Sequence, residues 1–349
     1  MQKIEIGDRI IGLGCPCFVI AEAGVNHNGN LDMALKLVDI AVRAGADAVK
    51  FQTFRTECVV TKNAPKAAYQ KETTGSDESQ FQMLKKLELS PLAHRELQAY
   101  CRERSILFLS SPFEEKSADF LEELDVPAFK IPSGELTNLP FLEHVARKSK
   151  PMIVSTGMST LEEVKSALAI IFKTGNADLI LLHCVSAYPA NAADANLRSM
   201  QTMATAFDVP VGYSDHTVGI EVALAAVASG ACVLEKHFTL DRNLPGPDHR
   251  ASLEPDELRI LVSGVRTVEA ALGHGRKEPV PCEADIAEVS RKSIVTSCDV
   301  PAGTIVTRGS IVMKSPGTGL PPSMLGRIIG RIAAQHIPAD TLLTSEMLR

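Results

Sequence analysis

The chain of 349 residues is 45% hydrophobic and 22% charged, a composition that is typical of a soluble globular protein and excludes a disordered one. Its formal net charge of −6, without a basic block, argues against a nucleic-acid partner. No stretch has the apolar length of a membrane span and the first residues lack a secretory signal pattern, so we expect a cytoplasmic protein with no membrane partner. The eight cysteines include no CxxC pair and are expected to be free thiols.

Short apolar runs alternate with segments of helical period along most of the chain. The apolar runs predict strands at residues 17–22, 46–52, 106–110, 128–131, 152–155, 179–184, 209–213 and 232–237. The other segments predict helices at residues 31–44, 91–104, 114–124, 139–148, 161–173, 196–206, 219–228 and 255–272. Almost wholly apolar strands, each followed by an amphipathic helix, are typical of a parallel sheet covered by helices. Eight such units favour an α/β (β/α)8 TIM barrel over the competing open, doubly wound sheet.

Two segments interrupt this pattern. Residues 53–90, between the second strand and its helix, are far longer than an ordinary connection and predict either a lid or substrate wall, or a solvated insertion. After the last helix, a segment rich in charge, Pro and Gly predicts a linker, and short β-branched runs with turns predict a small, mostly irregular β domain. We therefore assign residues 1–275 to the barrel, 276–289 to the linker and 290–349 to the C-terminal domain.

Polar side chains follow the predicted strands at their carboxyl ends, where a TIM barrel carries its working groups. His216 and His237 end two successive strands, where two neutral imidazoles could hold a metal ion, although a single histidine is more often a surface or hydrogen-bonded core residue. Two histidines leave several coordination positions open, which favours a labile Mn²⁺- or Zn²⁺-type ion completed by water and substrate.

Lysines and hydroxyl groups at other strand ends suit a phosphate group. Lys50 and Lys130 would neutralise its charge. The hydroxyl groups that would complete its shell belong to Ser111, Ser133, Ser155 and Ser214. The residues alone therefore predict metal-assisted chemistry on a small phosphate-bearing substrate. The alternative that they leave open is a polar barrel mouth with an unspecified ligand.

Seven motifs, in one order along nearly the whole chain, resemble the N-acetylneuraminate (sialic acid) synthase family, which includes the legionaminate and pseudaminate synthases. They are AEAGVNHNG, AVKFQT, FKIPSGE, STGMST, GYSDHT, EKHFTLDRNLPGPDHRASLEP and PGTGL. The resemblance implies a TIM barrel followed by a small antifreeze-like (SAF) β-rich domain. It also implies a transferase that condenses phosphoenolpyruvate with an N-acylated hexosamine, N-acetylmannosamine in the main interpretation, and water, with C–O bond cleavage, to give N-acetylneuraminate and phosphate. The alternative is an N,N'-diacetyllegionaminate or related nonulosonate synthase that uses a diacetamido-sugar acceptor.

The resemblance assigns expected roles to individual residues. His216 and His237 match the metal ligands, with Mn²⁺ as the expected ion and Mg²⁺, Co²⁺ or Zn²⁺ as alternatives. Glu22 matches the catalytic acid/base near C2 of phosphoenolpyruvate, and Glu135 is a second carboxylate that could share this proton work. The positions that hold phosphoenolpyruvate match Lys50, Ser111, Lys130, Ser133, Ser155 and Ser214. The positions that face the acceptor sugar match Gln52, Tyr188 and Asp248.

The chain departs from the family pattern at two places. Ser186 stands where some members have Asn, and we expect it to bind substrate through its shorter hydroxyl group. Ser315, with Lys314 beside it, stands where the family has an Arg that is thought to reach the acyl group of the sugar. We expect Lys314 and Ser315 to face the acceptor sugar, whose identity this departure leaves open. Tyr188 before Pro and Asp248 in a PGPD turn also have ordinary local uses as an alternative.

The resemblance further implies a homodimer in which the C-terminal domain of each chain covers the barrel mouth of the other. The length of the linker permits docking in cis as well as in trans. Two other classes of protein compete with this interpretation, a non-catalytic sugar- or ice-binding protein and a metal-dependent barrel hydrolase. A non-catalytic binding protein would leave the full set of polar strand-end residues without a role. A barrel hydrolase usually has three or more zinc ligands, and here only two histidines are clear candidates.

Overall fold

An eight-stranded parallel sheet forms the centre of the computed structural model, which describes residues 2–349. An antiparallel hairpin of β1 (Ile4–Ile6) and β2 (Arg9–Ile11) precedes it in the chain. The strands of the sheet are β3 (Phe18–Gly24), β4 (Ala48–Thr53), β5 (Leu107–Pro112), β6 (Phe129–Ile131), β7 (Met152–Ser155), β8 (Leu179–Cys184), β9 (Val211–Asp215) and β10 (Val233–His237).

The first and the eighth strand of this sheet are neighbours. β10 pairs in parallel with β3, from Val233 opposite Phe18 to His237 opposite Glu22. The hydrogen-bonded order is β5-β4-β3-β10-β9-β8-β7-β6, and within residues 2–349 no ladder joins β5 to β6. An open doubly wound sheet does not bring its first and last strands together, so the predicted (β/α)8 barrel is confirmed, with one gap in its ladder.

Helices follow the strands of the barrel. They are α1 (Leu31–Ala44), α2 (Thr56–Val59), α3 (Ala68–Thr74), α4 (Gln80–Lys85), α5 (Pro91–Glu103), α6 (Glu115–Glu123), α7 (Leu139–Ala146), α8 (Leu161–Lys173), α9 (Arg198–Phe207), α10 (Glu221–Ala228) and α11 (Pro255–Leu272). Local chemistry explains several of their bounds. Asn30 caps α1 by accepting a hydrogen bond from the Met33 N–H, and Gly45 ends it in the left-handed conformation at φ 79°. Thr160 and Glu163 form a capping box that begins α8.

Strand β9 begins and ends two residues later than the predicted range 209–213, which was wrong at both ends. Pro210 has no N–H to donate to a ladder, which keeps the start of the strand beyond it. At the other end, Ser214 and Asp215 pair with Glu235 and Lys236 of β10. Polar residues therefore belong to the strand itself, because they continue its hydrogen bonding into the barrel mouth.

The excursion after β4 contains three short helices, α2, α3 and α4, that were not predicted. It brings Phe54, Met83 and Leu87 together with Val25, which follows β3, in an apolar cluster that is separate from the barrel core. Each of these four side chains is at most 8% exposed. The excursion therefore packs against the carboxyl end of the barrel, which is the position of the predicted substrate wall.

The N-terminal hairpin closes the opposite end of the barrel. Ile4, Ile6 and Ile11 are at most 1% exposed and pack with side chains that point to the barrel interior, among them Ile20 and Leu109. Burying these large aliphatic side chains stabilises the hairpin against the barrel. The amino end of the barrel is thus filled with apolar side chains, and polar groups gather at the carboxyl end.

The chain divides at Gly273 into two compact units, the barrel and residues 274–349. The second unit contains α12 (Ala284–Ser290), β11 (Ser293–Thr296), β12 (Ile311–Lys314) and α13 (Leu325–Ile328). Its own core includes Ile294, Val300, Val306, Ile311, Ile337 and Leu343. Helix α12 occupies the last part of the predicted linker 276–289. No helix within residues 2–349 is long and apolar enough to cross a membrane.

Candidate active site

The alternation of side chains along β9 and β10 sorts the polar residues of the barrel mouth into two sets. Successive residues of a strand point to opposite faces, so Glu235 and His237 share one face of β10 while Lys236 takes the other. Lys236 Nζ donates to Asp215 Oδ2 at 2.5 Å and to the Thr217 carbonyl at 2.7 Å, behind the barrel wall. This buried ion pair ties the ends of the two strands together and leaves the opposite face for the cavity.

A cavity of about 470 Å³ lies at the carboxyl ends of the strands, a size that suits a small-molecule site. The predicted site residues in its wall are Glu22, Lys50, Gln52, Ser111, Lys130, Ser133, Ser155, Ser186, Tyr188, Ser214, His216, His237 and Asp248. They come from different βα units and meet because parallel strands end at the same side of a barrel.

Two lysines and two glutamates form a buried charge network at the floor of this cavity. Lys50 Nζ lies 2.8 Å from Glu22 Oε2 and 3.6 Å from Glu235 Oε2, and Lys130 Nζ lies 3.5 Å from Glu235 Oε1. Each of the four residues is at most 4% exposed. Because burying ions costs free energy unless they are paired, the alternating signs stabilise one another here. Ser111 accepts a hydrogen bond from Lys50 Nζ at 3.0 Å.

The two carboxyl groups of this network have very different proton affinities. Burial raises the pKa of Glu22 to about 7, although Lys50 opposes the shift. For Glu235, burial also acts to raise the pKa, but Lys130 and Lys50 outweigh it and hold the value at about 2. Environments that push the pKa values of two carboxyl groups apart separate a proton-exchanging group from a permanent anion. Glu22 is therefore the carboxyl group that can carry a proton near neutral pH.

His216 and His237 stand side by side, with ring centroids 5.6 Å apart. His216 Nδ1 lies 2.7 Å from the Val185 carbonyl oxygen, which only accepts, so Nδ1 donates and Nε2 keeps its lone pair. Within residues 2–349, His237 Nδ1 is buried without a hydrogen-bond partner. Burial lowers the pKa of both imidazoles. Two neutral imidazoles of this kind fit a divalent cation.

His216 and His237 are the two candidate metal ligands of this cavity. Within residues 2–349, no group of three or more His, Cys, Asp or Glu side chains is arranged to hold a metal ion. A cation at His216 and His237 would therefore depend on water and substrate for its remaining ligands, as the sequence predicts. Such a site is open to substrate, unlike a closed structural metal site.

Aromatic side chains line the cavity beside the histidines. The Tyr188 ring lies 4.2 Å from His216 and 5.8 Å from His237, and the Tyr69 ring of the excursion lies 5.2 Å from Tyr188, all between centroids. Asp248 completes this end, and burial raises its pKa to about 6. The cavity thus has a charged end around Lys50 and an aromatic end around Tyr188.

Glu135 does not line this cavity, and Lys314 and Ser315 belong to the second unit. Glu135 follows β6 in a one-turn helix over Ser133–Glu135 and accepts a hydrogen bond from Asn138 Nδ2 at 2.7 Å. Lys314 Nζ lies 2.5 Å from Asp340 Oδ1, and Ser315 accepts from Lys292 Nζ at 2.9 Å, both within the second unit. The roles expected for Glu135, Lys314 and Ser315 stay predictions.

Glu235 and Tyr69 are two of the wall residues that were missed as site residues. Glu235 precedes His237 by two positions on a predicted strand, and this spacing alone indicates that the two side chains share a face. Tyr69 carries no comparable signal, because it lies in a long excursion whose course the sequence pattern does not indicate.

Comparison with known proteins identifies the family. The NeuB family matches residues 37–277, and the SAF domain matches residues 291–349. The chain belongs to the NeuB family. N,N'-diacetyllegionaminic acid synthase of Campylobacter jejuni is 47% identical over 93% of this chain and 98% of that protein. The protein of the same name from Legionella pneumophila is 47% identical over 99% of this chain and 98% of that protein.

A solved structure agrees with this assignment. The N-acetylneuraminic acid (sialic acid) synthetase of Leptospira borgpetersenii is 38% identical and superposes with a TM-score of 0.73 over 82% of this chain and 95% of that one. The predicted family and the predicted barrel with a SAF domain are confirmed. The chain is an enzyme of the sialic and legionaminic acid synthase family, a transferase.

Proposed function

We propose that this enzyme condenses phosphoenolpyruvate with a diacetamido hexose and water to give phosphate and a nine-carbon 2-keto acid of the diacetyllegionaminate type. The observation that carries the chemistry is the Lys50–Glu22 pair, buried beside Lys130 and Glu235 in the same cavity as two neutral histidines. Two relatives that are 47% identical are named N,N'-diacetyllegionaminic acid synthases, which supports the diacetamido acceptor.

N-acetylneuraminate synthesis from N-acetylmannosamine is the second candidate, favoured by the likeness to a sialic acid synthetase. That protein is 38% identical, less than the two diacetyllegionaminic acid synthases. The two candidates share the phosphoenolpyruvate half of the reaction and differ in the acceptor alone. The residues around the charged end of the cavity serve both.

The charged end suits phosphoenolpyruvate, a small trianionic molecule. Lys50 and Lys130 supply two cationic groups, and Ser111, whose oxygen accepts from Lys50, adds a hydroxyl donor. Ser214 Oγ donates to Glu235 Oε1 at 3.0 Å, which anchors that hydroxyl group beside the lysines. Charge-assisted hydrogen bonds of this kind are stronger than neutral ones, so both lysines would hold the anion firmly.

Glu22 would exchange the proton of the reaction. As C3 of phosphoenolpyruvate forms a bond to the aldehyde carbon of the sugar, water adds to C2 and loses a proton, and the C2–O bond to phosphate breaks. A carboxyl group with a pKa of about 7 can take up and return a proton near neutral pH. Lys50, in contact with Glu22, keeps the carboxyl group beside the bound anion.

His216 and His237 would hold a divalent cation, with Mn²⁺ as the expected ion. Such an ion, when bound, polarises a carbonyl oxygen as a Lewis acid, here the aldehyde oxygen of the acceptor. The Val185 carbonyl fixes the His216 ring and its tautomer. Tyr188 packs against His216 and shields this end of the cavity from water.

One experiment tests the proposal. The purified protein is incubated with phosphoenolpyruvate, Mn²⁺ and a panel of mono- and diacetamido hexoses, and phosphate and nonulosonate are measured together. We expect equal amounts of both products, and the highest kcat/KM with a diacetamido hexose. Phosphate release that is independent of every acceptor, or no turnover with any of them, contradicts the proposal.

A further inference from the structure

One wall of the cavity is apolar, unlike the rest of the barrel mouth. We call it the excursion wall, and its side chains are those of Phe54 beside β4, Val59 of α2, and Met83 and Leu84 of α4. Phe54 and Met83 are buried members of the apolar cluster around Leu87, and Val59 and Leu84 pack against that cluster. All four side chains of the excursion wall also face the cavity that holds the charge network.

The excursion is held in place by a buried lysine. Lys66 Nζ donates to Thr74 Oγ1 at 2.8 Å, to the Gly75 carbonyl at 3.1 Å and to Glu78 Oε1 at 3.1 Å. Its side chain is 1% exposed. Through these acceptors, the buried ammonium group joins the end of α3 to the segment that leads into α4. This lysine therefore stabilises the position of α4, which carries Met83 and Leu84 of the excursion wall.

The excursion also reaches the aromatic end of the cavity. Tyr69 on α3 packs against Tyr188, which in turn packs against His216. Thr73 lies one turn further along α3, and its Oγ1 is 3.5 Å from the carbonyl oxygen of Pro247, the residue before Asp248. Two other side chains of the excursion therefore lie at the end of the cavity that is expected to face the acceptor sugar, and the excursion wall belongs to the same segment.

An apolar wall is poorly matched to a hydroxyl group of a sugar. A hydroxyl group that loses water without gaining a new hydrogen-bond partner is unfavourable in free energy. A methyl group gains free energy at the same place, because its apolar surface leaves water. The second acetamido group of a diacetamido hexose ends in such a methyl group, where a mono-N-acetyl hexosamine carries a hydroxyl group.

We infer that the excursion wall receives the methyl end of the second acyl group of the acceptor and so selects a diacetamido hexose over a mono-N-acetyl hexosamine. This inference rests on the proposed function and names the residues that decide its acceptor. The carboxamides of Gln52 and Gln80 lie in the same cavity and supply hydrogen-bonding groups for the amide of that acyl group. Selection then belongs to the barrel unit itself.

Two variants and one control test the inference. Val59→Phe fills the space in front of the wall, and Leu84→Gln makes the wall polar. Leu87→Ala removes a side chain from the same apolar cluster, but Leu87 does not face the cavity. The readout is the ratio of kcat/KM for a diacetamido hexose to that for the matching mono-acetamido hexose, with the KM for phosphoenolpyruvate measured alongside.

We expect both wall variants to lower the ratio by about 10–200-fold, the range that small apolar groups produce in specificity pockets. The KM for phosphoenolpyruvate should stay at the parent value, and Leu87→Ala should keep the parent ratio. An unchanged ratio in the wall variants, or an equal fall in Leu87→Ala, overturns the inference. Leu84 is only half-buried, so Leu84→Gln decides the test alone if Val59→Phe does not fold.

The parent enzyme separates this inference from the proposed function. If none of the acylated hexosamines leads to phosphate release, the proposed function fails. If it turns over both kinds of acceptor and prefers the mono-acetamido sugar, the reaction stands and the inference alone fails.

Discussion

Lys50 Nζ and Glu22 Oε2 lie 2.8 Å apart, and neither side chain is more than 4% exposed. The pair joins the cation that would hold phosphoenolpyruvate to the carboxyl group that would exchange a proton with it. Glu22 sits on the first strand of the barrel and Lys50 on the second, in register with each other. The contact therefore follows from the pairing of the first two strands of the barrel.

Glu22→Gln should lower kcat by about 10²–10⁴-fold, because the amide keeps the size and polarity of the side chain but cannot exchange a proton. Binding of phosphoenolpyruvate, measured by calorimetry, should persist, since Lys50 and Lys130 remain. Glu162→Gln, at an exposed position, is the control and should retain kcat. A normal kcat in Glu22→Gln, or a large loss in the control, assigns the proton work to another residue.

His216→Ala and His237→Ala should each abolish turnover with a melting temperature close to that of the parent. Both side chains end strands at the cavity and contribute nitrogens that fit a cation, while the apolar core below them is unchanged. A chelator should reproduce the loss in the parent protein, and Mn²⁺ should restore it. His274→Ala, at an exposed position, serves as the control. Full activity in metal-stripped protein, verified by elemental analysis, contradicts the metal site.

Lys236→Met should destabilise the barrel by about 3–5 kcal/mol, because it leaves Asp215 charged and buried without its partner. Lys165→Met removes one member of an exposed pair with Glu162 at 3.9 Å and should cost under about 1 kcal/mol. Chemical denaturation monitored by circular dichroism gives both values. Equal effects of the two substitutions would show that the buried pair is not needed for stability.

Asp248→Asn should change stability in a way that depends on pH. The pKa of Asp248 rises from 3.8 to about 6 because the carboxyl group is buried. A raised pKa in an acid favours the folded state at low pH, and that stability is lost as the pH rises through about 6. Near pH 8 the ionised carboxylate costs about 3 kcal/mol, which the amide avoids.

The substitution should therefore raise the melting temperature near pH 8 and raise it much less near pH 4. Asp77→Asn, at an exposed position, is the control and should show no such dependence. A gain of the same size at both pH values indicates that the substitution acts by another route.

The sequence predicts the barrel because nearly uniform apolar strands and amphipathic helices repeat eight times, and the strand-end residues follow from that repeat. The start of β9 differs because Pro210 cannot enter a ladder. The positions of Tyr69 and Met83 could not be predicted, since they depend on how the excursion packs through Lys66 and its own small apolar cluster. No periodic pattern encodes such contacts, which are tertiary in origin.

The site shows the same division. His237 ends a predicted strand and Lys50 lies near the end of another, and the cavity brings them together as expected. Glu135 follows a strand as well, but a one-turn helix carries it out of the wall, where Asn138 donates to it. A strand end therefore indicates which residues reach the mouth, and the local backbone decides which of them face the ligand. The homodimer and the cytoplasmic location stay predictions.

The fate of the bridging oxygen of phosphoenolpyruvate tests the central claim most directly. The enzyme is incubated with Mn²⁺, a diacetamido hexose and phosphoenolpyruvate that carries ¹⁸O between C2 and phosphorus. The ¹⁸O content of the phosphate and of the keto acid is then measured by mass spectrometry. If water adds to C2 and the C2–O bond breaks, the ¹⁸O leaves with phosphate, and the new keto oxygen comes from water. Unlabelled phosphate, with ¹⁸O retained in the keto acid, would show attack at phosphorus and contradict the account.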